Sequence, residues 1–454
     1  MQSEKTLDMT KGSPLKLLVT FAIPLVLGSL FQQLYSFVDT AIIGRCISSD
    51  ALTAVGITSS LNFLILGFSM GCANGFCIPI AQSIGANNPK DTSKNFWNGL
   101  YLSIFIGLLI SGVFCFLIRP LLVAMHTDPA LLDTASEYLT IILIGQITAV
   151  LYNYLAGVLR AFGDSKHPFQ FLVISSLINV GFDFLFILTF HMGVGGAAIA
   201  TVISQGISAF LCGWWLYKKT NFLHLQDTDG ENLSAVSVPH MKKISKIGIP
   251  LGLEYSVCSI GNIILQSSIN SLGTVIAAGQ ICGEKIRSIA TLPMESVGTA
   301  MATYVGQNYG ARKFDRIKKG IRSGICIQAV YSFCAWILLC ILKKPLVYLL
   351  LGTTTSAEAL AALKYLTIIT VLFLFHGSLM IFRNTIQGMG YGFAALASSA
   401  MEILGRTVAG LLAVHYNSFF LICISSPLAW IFACICCICL CIYYLHKEKK
   451  NEDM

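Results

Sequence analysis

The chain has 454 residues, of which 55% are hydrophobic and only 11% charged, and its mean hydropathy is +0.73. A soluble globular protein carries about 25% charged residues, so this composition excludes a soluble enzyme or binding module and indicates a polytopic membrane protein. The formal net charge of +8 is accounted for by basic connections between the spans, and it gives no reason to expect a nucleic-acid partner.

Apolar runs near the roughly 20 residues that cross a bilayer predict an all-α membrane protein with twelve spans. In chain order the runs are 15–44, 52–78, 96–118, 137–158, 168–190, 194–217, 247–271, 275–303, 320–342, 360–383, 391–415 and 418–445. Lys and Arg concentrate in alternate connections, with Arg383 counted as one of these loop residues. Because basic connections stay in the cytoplasm, we expect a multi-pass cell-membrane protein with both termini inside.

An internal repeat divides the chain into two halves. FAIPLVLG (21–28) aligns with IGIPLGLE (247–254), IAQSIGANN (80–88) with VGQNYGARK (305–313), and LRAFGDS (159–165) with IQGMGYG (386–392). Six spans in each half, an even number, predict two pseudo-symmetric lobes with the same orientation in the membrane. The expected domains are an N-lobe (1–219), a cytoplasmic linker (220–243) and a C-lobe (244–454).

The first of these alignments sets Pro24 opposite Pro250. A proline inside a helix lacks an N–H and can kink it, so both residues are candidate hinges. A kink that is merely tolerated near the start of a span explains them equally well.

Ionisable and polar groups inside the first six spans are the main candidates for a site. Asp39 near the end of span one is expensive to bury, by roughly 2.5 to 3.5 kcal/mol on insertion scales. Asn179 and Asp183 in span five are four positions apart and share one helix face. Two carboxylates with neutral oxygens nearby could bind a hard cation or share a proton. The neutral candidates are Asn179, Asn153 and Thr201, each of which could instead make ordinary interhelical hydrogen bonds. Asp39 could also simply pair with Arg45.

The second half offers Glu254, Glu295, Glu402 and Arg406 as possible substrate-cavity residues. Glu254 could equally lie near the cytoplasmic mouth. Glu284, Lys285 and Arg287 form a charged group early in span eight, which we interpret as mutually neutralising.

Several motifs together resemble the multidrug and toxic compound extrusion (MATE) transporters. They are FAIP, VDTAIIG, IAQSIGA, GVLRAFGDSKHP, NVGFDFLFI, GVGGAAIATVISQ and AMATYVGQNYGA, spread over most of the chain. The resemblance implies twelve helices in two lobes around a central cavity, driven by a sodium or proton gradient. It also implies an N-lobe cation site, with sodium as one candidate ion, at Asp39, Asn179, Asp183 and Thr201. One branch of the family couples through a Glu in span seven and an Asp in span ten, but span ten here has no Asp.

These features favour a cation-coupled antiporter that exports organic, cationic and amphiphilic compounds. One alternative is a lipid-linked precursor flippase, which would need several basic cavity residues where this sequence offers Arg406 as the only deeply placed one in the second lobe. An intramembrane enzyme or a receptor is a further alternative. The sequence contains neither an HExxH pair nor a phosphate-binding glycine loop, so we expect no enzyme activity and no cofactor besides the coupling ion. The expected partners are small-molecule substrates and membrane lipid, with neither nucleic acid nor an obligate protein partner.

Overall fold

The computed structural model describes residues 7–125, 127–220, 223 and 233–452, and within these ranges the secondary structure is helical. The helices, in chain order, are α1 (Pro14–Cys46), α2 (Ser49–Phe76), α3 (Ile78–Gly85), α4 (Pro89–Ala124), α5 (Pro129–Ile144), α6 (Gln146–Ala161), α7 (Lys166–Phe184), α8 (Gly193–Lys219), α9 (Val238–Ser271), α10 (Thr274–Gly310), α11 (Phe314–Leu351), α12 (Ala357–Thr370), α13 (Phe373–Gly388), α14 (Gly392–His415) and α15 (Phe419–Glu452). A single π-helical turn, Leu185–Thr189, follows α7.

Four of the described helices begin with a local side-chain cap. Ser48, Asn88, Asp128 and Ser356 each accept a hydrogen bond from a backbone N–H two or three residues later. These caps satisfy first-turn N–H groups that have no partner inside the helix. The sequence between the caps is apolar enough for most of the helices to cross a membrane.

The predicted fold of twelve spans is confirmed, although two spans are broken. Nine described helical stretches are long and apolar enough to cross a bilayer, and two bent pairs bring the number to eleven. The bends are 44° between α5 and α6 and 53° between α12 and α13. The remaining span is α10, a 37-residue helix that carries charged residues in its interior.

The two halves repeat one another in backbone conformation as well as in sequence. Positive φ angles recur at matching positions: Asn87 (53°) with Arg312 (56°), Gly163 (83°) with Gly390 (92°), and His191 (53°) with Asn417 (45°). Non-glycine residues seldom adopt this left-handed region, so its recurrence at three pairs of loop positions is specific. The bent pairs also correspond, because α5 and α6 occupy in the first half the place of α12 and α13 in the second.

The chain forms two compact units, and their division falls inside two helices. Unit 1 comprises Met1–Asp8 and Leu27–Gly252, and unit 2 comprises Met9–Val26 and Leu253–Met454. Helix α1 therefore changes unit after Val26 and α9 after Gly252, two residues beyond Pro24 and Pro250 respectively. Compared with the lobes expected from the repeat, the first part of α1 therefore belongs to unit 2, and the first part of α9 belongs to unit 1.

Most of the expected linker 220–243 lies outside the described residues. Its described part, from Leu233, packs within unit 1, where Tyr101 donates a hydrogen bond to the Ser234 carbonyl at 2.9 Å. Asn98 Oδ1 accepts from the Ser237 backbone N–H at 2.8 Å, and Asp91 faces the His240 ring nitrogen at 3.0 Å. This end of the linker is therefore held against α4.

Candidate functional site

Two carboxyl groups meet inside unit 1. Asp39 in α1 and Asp183 in α7 are within hydrogen-bond reach of one another. The Asp183 side chain is fully buried and Asp39 is partly buried. Two ionised carboxylates in contact repel each other strongly, so this geometry needs a proton or a cation between them. We call Asp39 and Asp183 the acidic pair.

Neutral polar groups from two further residues surround the acidic pair. With its amide oriented to satisfy its neighbours, Asn179 donates to Asp183 Oδ2 at 3.3 Å and accepts from the Thr201 backbone N–H at 3.1 Å. Thr201 also shares a side-chain hydrogen bond with Tyr35, which lies one turn before Asp39 in α1. The structure thus brings together Asp39, Asn179, Asp183 and Thr201, from three different helices.

The acidic pair retains unused acceptor atoms. Asp39 Oδ1 and Asp183 Oδ1 are both buried and have no hydrogen-bond partner among the described residues. Buried polar atoms are almost always paired, so two unpaired carboxylate oxygens at one place indicate a missing positive partner. Carboxylate, amide and hydroxyl oxygens are the ligands that a hard cation selects, and the same carboxylates can hold a proton. The residues present therefore fit either ion.

The local fold keeps this group in register. Asp183 is the second-last residue of α7, and the chain then passes into the π-helical turn Leu185–Thr189. Such turns widen a helix by one residue and occur frequently at functional sites. In the neighbouring bent span, a side chain at Gly145 would begin 2.1 Å from Val202 of α8, so glycine is needed there for close packing.

The structure also bears on two other residues that the sequence analysis considered, Arg45 as a partner of Asp39 and Asn153 as a member of the site. Arg45 is exposed, and the Asp39 carboxyl faces Asp183 rather than this nearest basic residue. Asn153 donates to the Ala149 carbonyl in its own helix at 2.8 Å, and among the described residues its side chain makes no hydrogen bond to the acidic pair.

Unit 2 contains a buried ion network instead of an acidic pair. Arg383 pairs with Glu402, and its Nε lies 3.5 Å from Glu254 Oε1. Arg406 donates to Glu402 Oε2 at 2.9 Å, and Gln387 donates to Glu254 Oε2 at 2.9 Å. We call Glu254, Arg383, Glu402 and Arg406 the ion network. Because each carboxylate in it has a guanidinium partner, the network is neutral as a whole.

Two expectations about basic residues are wrong. Arg383 was expected in a loop, but it lies within α13 and is 6% exposed. The apolar run ends at this residue while the helix continues to Gly388, so composition alone misplaced the end of the span. Arg406 is also not the only deeply placed basic residue of the second half, because Arg383 and Arg287 are internal too.

The charged group early in α10 pairs as expected between Glu284 and Arg287. Arg287 Nε donates to Glu284 Oε2 at 2.7 Å, and Tyr365 donates to the same oxygen at 2.5 Å. The Arg287 guanidinium also lies 5.7 Å from the centre of the Trp430 ring. Glu295, further along α10, is exposed and belongs neither to this pair nor to the ion network.

Comparison with known proteins places the chain in a family. The MatE family model matches residues 24–185 and again residues 250–411, so the two matches share the offset that separates Pro24 from Pro250. The probable multidrug resistance protein YpnP of Bacillus subtilis (strain 168) is 34% identical over 321 residues, which cover 69% of each chain. A FAD transporter of Shewanella oneidensis is 21% identical and covers 73% of each chain.

Solved structures show the same fold. The outward-facing conformation of a multidrug resistance MATE family transporter matches with a TM-score of 0.90 at 23% identity, covering 98% of this chain and all of the other. The family match, the relatives and the twelve-span fold together show a membrane transporter of small molecules rather than an enzyme. The chain belongs to the MATE family of multidrug efflux transporters.

Proposed function

We propose that the chain exports organic, cationic and amphiphilic compounds in exchange for sodium ions or protons, and that the acidic pair is the coupling-ion site. The observation that carries the proposal is the contact between Asp39 and Asp183, each with one buried oxygen that has no partner in the part of the chain that the structure describes. An intramembrane acid that nothing neutralises is costly, so an exchangeable cation is the simplest partner.

The coupling follows from electrostatics. A cation or proton that enters between Asp39 and Asp183 relieves their repulsion and favours the packing in which α1 and α7 lie close together. This change lowers the affinity for the substrate, which leaves on the outer side as the two lobes alternate access. A membrane potential of about 100 mV supplies roughly 2.3 kcal/mol per charge, enough to shift such an equilibrium substantially.

The basic connections support a plasma-membrane protein with both termini in the cytoplasm. In this orientation, an inwardly directed ion gradient drives export.

An anionic cargo is a second possibility, raised by the FAD transporter relative and by the flippase alternative. Both would need guanidinium or ammonium groups free to hold a pyrophosphate. The interior arginines of unit 2 do not meet this need, because Arg287, Arg383 and Arg406 each hold a carboxylate. Because these three arginines are already paired with carboxylates, a cationic substrate is favoured over an anionic one.

The test is transport by the purified chain in proteoliposomes, with ethidium as the probe and a sodium or a proton gradient imposed separately. Wild-type protein should accumulate ethidium against its gradient with one of the two ions. Asp39→Asn and Asp183→Asn should abolish gradient-driven transport. Asp133→Asn is the matched control, because Asp133 lies on α5 of the same unit with its side chain 80% exposed. Wild-type rates in both Asp39→Asn and Asp183→Asn would overturn the proposal.

A further inference from the structure

The exposed side of α11 carries three basic side chains close to the start of the helix. Lys318 and Lys319 lie four and three residues before Arg322, so both are its neighbours on the helix surface. All three are exposed, and none makes an ion pair or a side-chain hydrogen bond among the described residues. We call Lys318, Lys319 and Arg322 the basic face of α11. Because like charges at this spacing repel one another, an anion placed over them would be bound favourably.

Two neighbouring basic residues are already used inside unit 2. Lys313 Nζ donates to the Thr10 carbonyl at 3.1 Å, and Arg316 Nη1 donates to the Gly12 carbonyl at 3.0 Å. Both residues hold the segment before α1 against the start of α11. The structure therefore gives these two cations a role in stabilising unit 2, whereas it gives the basic face no partner among the described residues.

The basic face is followed by an apolar stripe on the same side of α11. Its exposed members after Arg322 recur every three or four residues and are Val330, Phe333, Ile337 and Ile341. The exposed Lys344 ends the stripe, 22 residues after Arg322, which is about 33 Å along a helix. The hydrocarbon core of a bilayer is about 30 Å thick, so the stripe spans the acyl chains. The basic face then lies at the level of the lipid headgroups.

The fold itself does not require these three cations. The repeat pairs Gly99 with Gly324, and the same offset sets Ser93, Lys94 and Trp97 at the places of the basic face. Ser93 is buried and Trp97 is half-buried, so the first half uses two of these positions for packing. The same scaffold thus carries one cation in the first half and three in the second. The excess of positive charge is particular to α11.

We propose that the basic face of α11 binds the phosphate groups of anionic phospholipids, while the apolar stripe contacts their acyl chains. In the proposed orientation these lipids belong to the cytoplasmic leaflet. A cluster of Lys and Arg at the cytoplasmic end of a span attracts anionic headgroups, and here the adjoining stripe matches the rest of the lipid. A soluble acidic partner would use the charge but leave the stripe uncovered. The inference goes beyond the proposed function and does not depend on which ion the acidic pair binds.

The test titrates the purified full-length chain in detergent micelles with dioleoylphosphatidylglycerol and follows the rise in unfolding temperature. Dioleoylphosphatidylcholine has the same acyl chains but no net charge, so it should stabilise the wild-type chain by several degrees less. The variant Lys318→Gln/Lys319→Gln/Arg322→Gln should need at least about tenfold more phosphatidylglycerol for half of the rise, because each lost cation weakens the attraction. Lys318→Arg/Lys319→Arg keeps the charges and should respond as the wild type does.

The matched control is Lys447→Gln/Lys449→Gln/Lys450→Gln, which removes three exposed cations near the end of α15 in the same unit. It should keep the wild-type midpoint. The unfolding temperature without added lipid establishes that each variant is folded.

Three results would each overturn the inference. They are a midpoint of the basic-face variant within twofold of wild type, an equal loss in the α15 control, and equal stabilisation of the wild-type chain by the two lipids. Stabilisation by polyglutamate equal to that by phosphatidylglycerol would also overturn it, since the basic face would then bind acidic polypeptide without any contribution from acyl chains.

Discussion

Arg383 and Glu402, nineteen residues apart on consecutive helices, form an ion pair whose side chains are 7% and 4% exposed. Arg383→Met leaves Glu402 with Arg406 alone and removes the guanidinium beside Glu254. Because breaking a buried pair leaves an uncompensated charge, we expect a loss of about 3 to 5 kcal/mol in the free energy of unfolding. Thermal unfolding in detergent measures this loss.

The double variant Arg383→Met/Glu402→Gln serves as the comparison for that pair. It removes both partners, so it should be less destabilised than Arg383→Met alone. A double variant at least as unstable as the single one would show that Arg383 stabilises the helices through packing rather than through its charge.

Ion binding at the acidic pair should be visible without transport. A bound ion stabilises the folded state, by about 2.7 kcal/mol at one hundred times its dissociation constant. Wild-type protein should therefore unfold a few degrees higher in sodium chloride than in choline chloride if sodium is the coupling ion. Asp183→Asn should lose that difference. An equal sodium effect in wild type and Asp183→Asn would place the ion elsewhere.

Asn179 connects the acidic pair to α8, so its amide should matter for both stability and ion affinity. Asn179→Leu removes the donor to the buried Asp183 carboxylate and the amide oxygen that faces the Thr201 N–H. Leaving such groups unsatisfied costs about 1 to 3 kcal/mol, and the ion-dependent thermal shift should also shrink. Thr201→Val, which keeps the backbone N–H, is expected to cost less. A variant Asn179→Leu with wild-type stability and ion response would contradict this role.

Two glycines of α2 should respond to the same change in opposite directions. A Cβ at Gly75 would lie 2.5 Å from the Gly248 Cα, whereas a Cβ at Gly56 meets nothing within 4 Å. Gly75→Ala should therefore destabilise unit 1 by about 1 to 3 kcal/mol through overpacking. Gly56→Ala should gain roughly 0.5 to 1 kcal/mol because alanine favours the helix. Thermal unfolding of the two variants should order them on either side of wild type.

The hinge role of Pro24 and Pro250 can be tested against prolines of the same kind elsewhere. Pro120 and Pro345 also lie inside helices, but α4 and α11 each belong to one unit. Pro24→Ala and Pro250→Ala should slow ethidium export several-fold with little loss of folded protein, because a straightened helix bends less readily. Equal slowing in Pro120→Ala and Pro345→Ala would remove any special role for the first two.

The fold and the acidic pair followed from different kinds of information. Apolar run length and the repeat were sufficient to predict twelve spans in two halves, because bilayer thickness fixes the length of a helix. Asp39 and Asp183 stand out singly by their burial cost. Their contact, however, joins residues 144 positions apart, and only the resemblance to the family implied it.

The features that sequence analysis missed depend on tertiary contacts. Nothing local distinguishes Gly145 as the bend of a span, since the need for glycine there arises from Val202 in another helix. Arg383 follows an apolar run and resembles a loop residue until Glu402 and Glu254 are placed beside it. Hydropathy likewise cannot tell that Glu284 pairs with Arg287, while Glu295 on the same helix has no ion pair among the described residues.

The matching left-handed loops show that duplication kept one backbone while the two halves diverged in their titratable side chains. In the second half, Leu265 takes the place of Asp39, and the place of Asp183 falls at Ala409 or Gly410, at an offset of 226 or 227, so neither carboxylate recurs. The two halves therefore have similar backbones, but only the first half carries the two carboxylates of the acidic pair. Saturation by the driving ion should then follow a simple one-site isotherm, with no cooperativity between the halves.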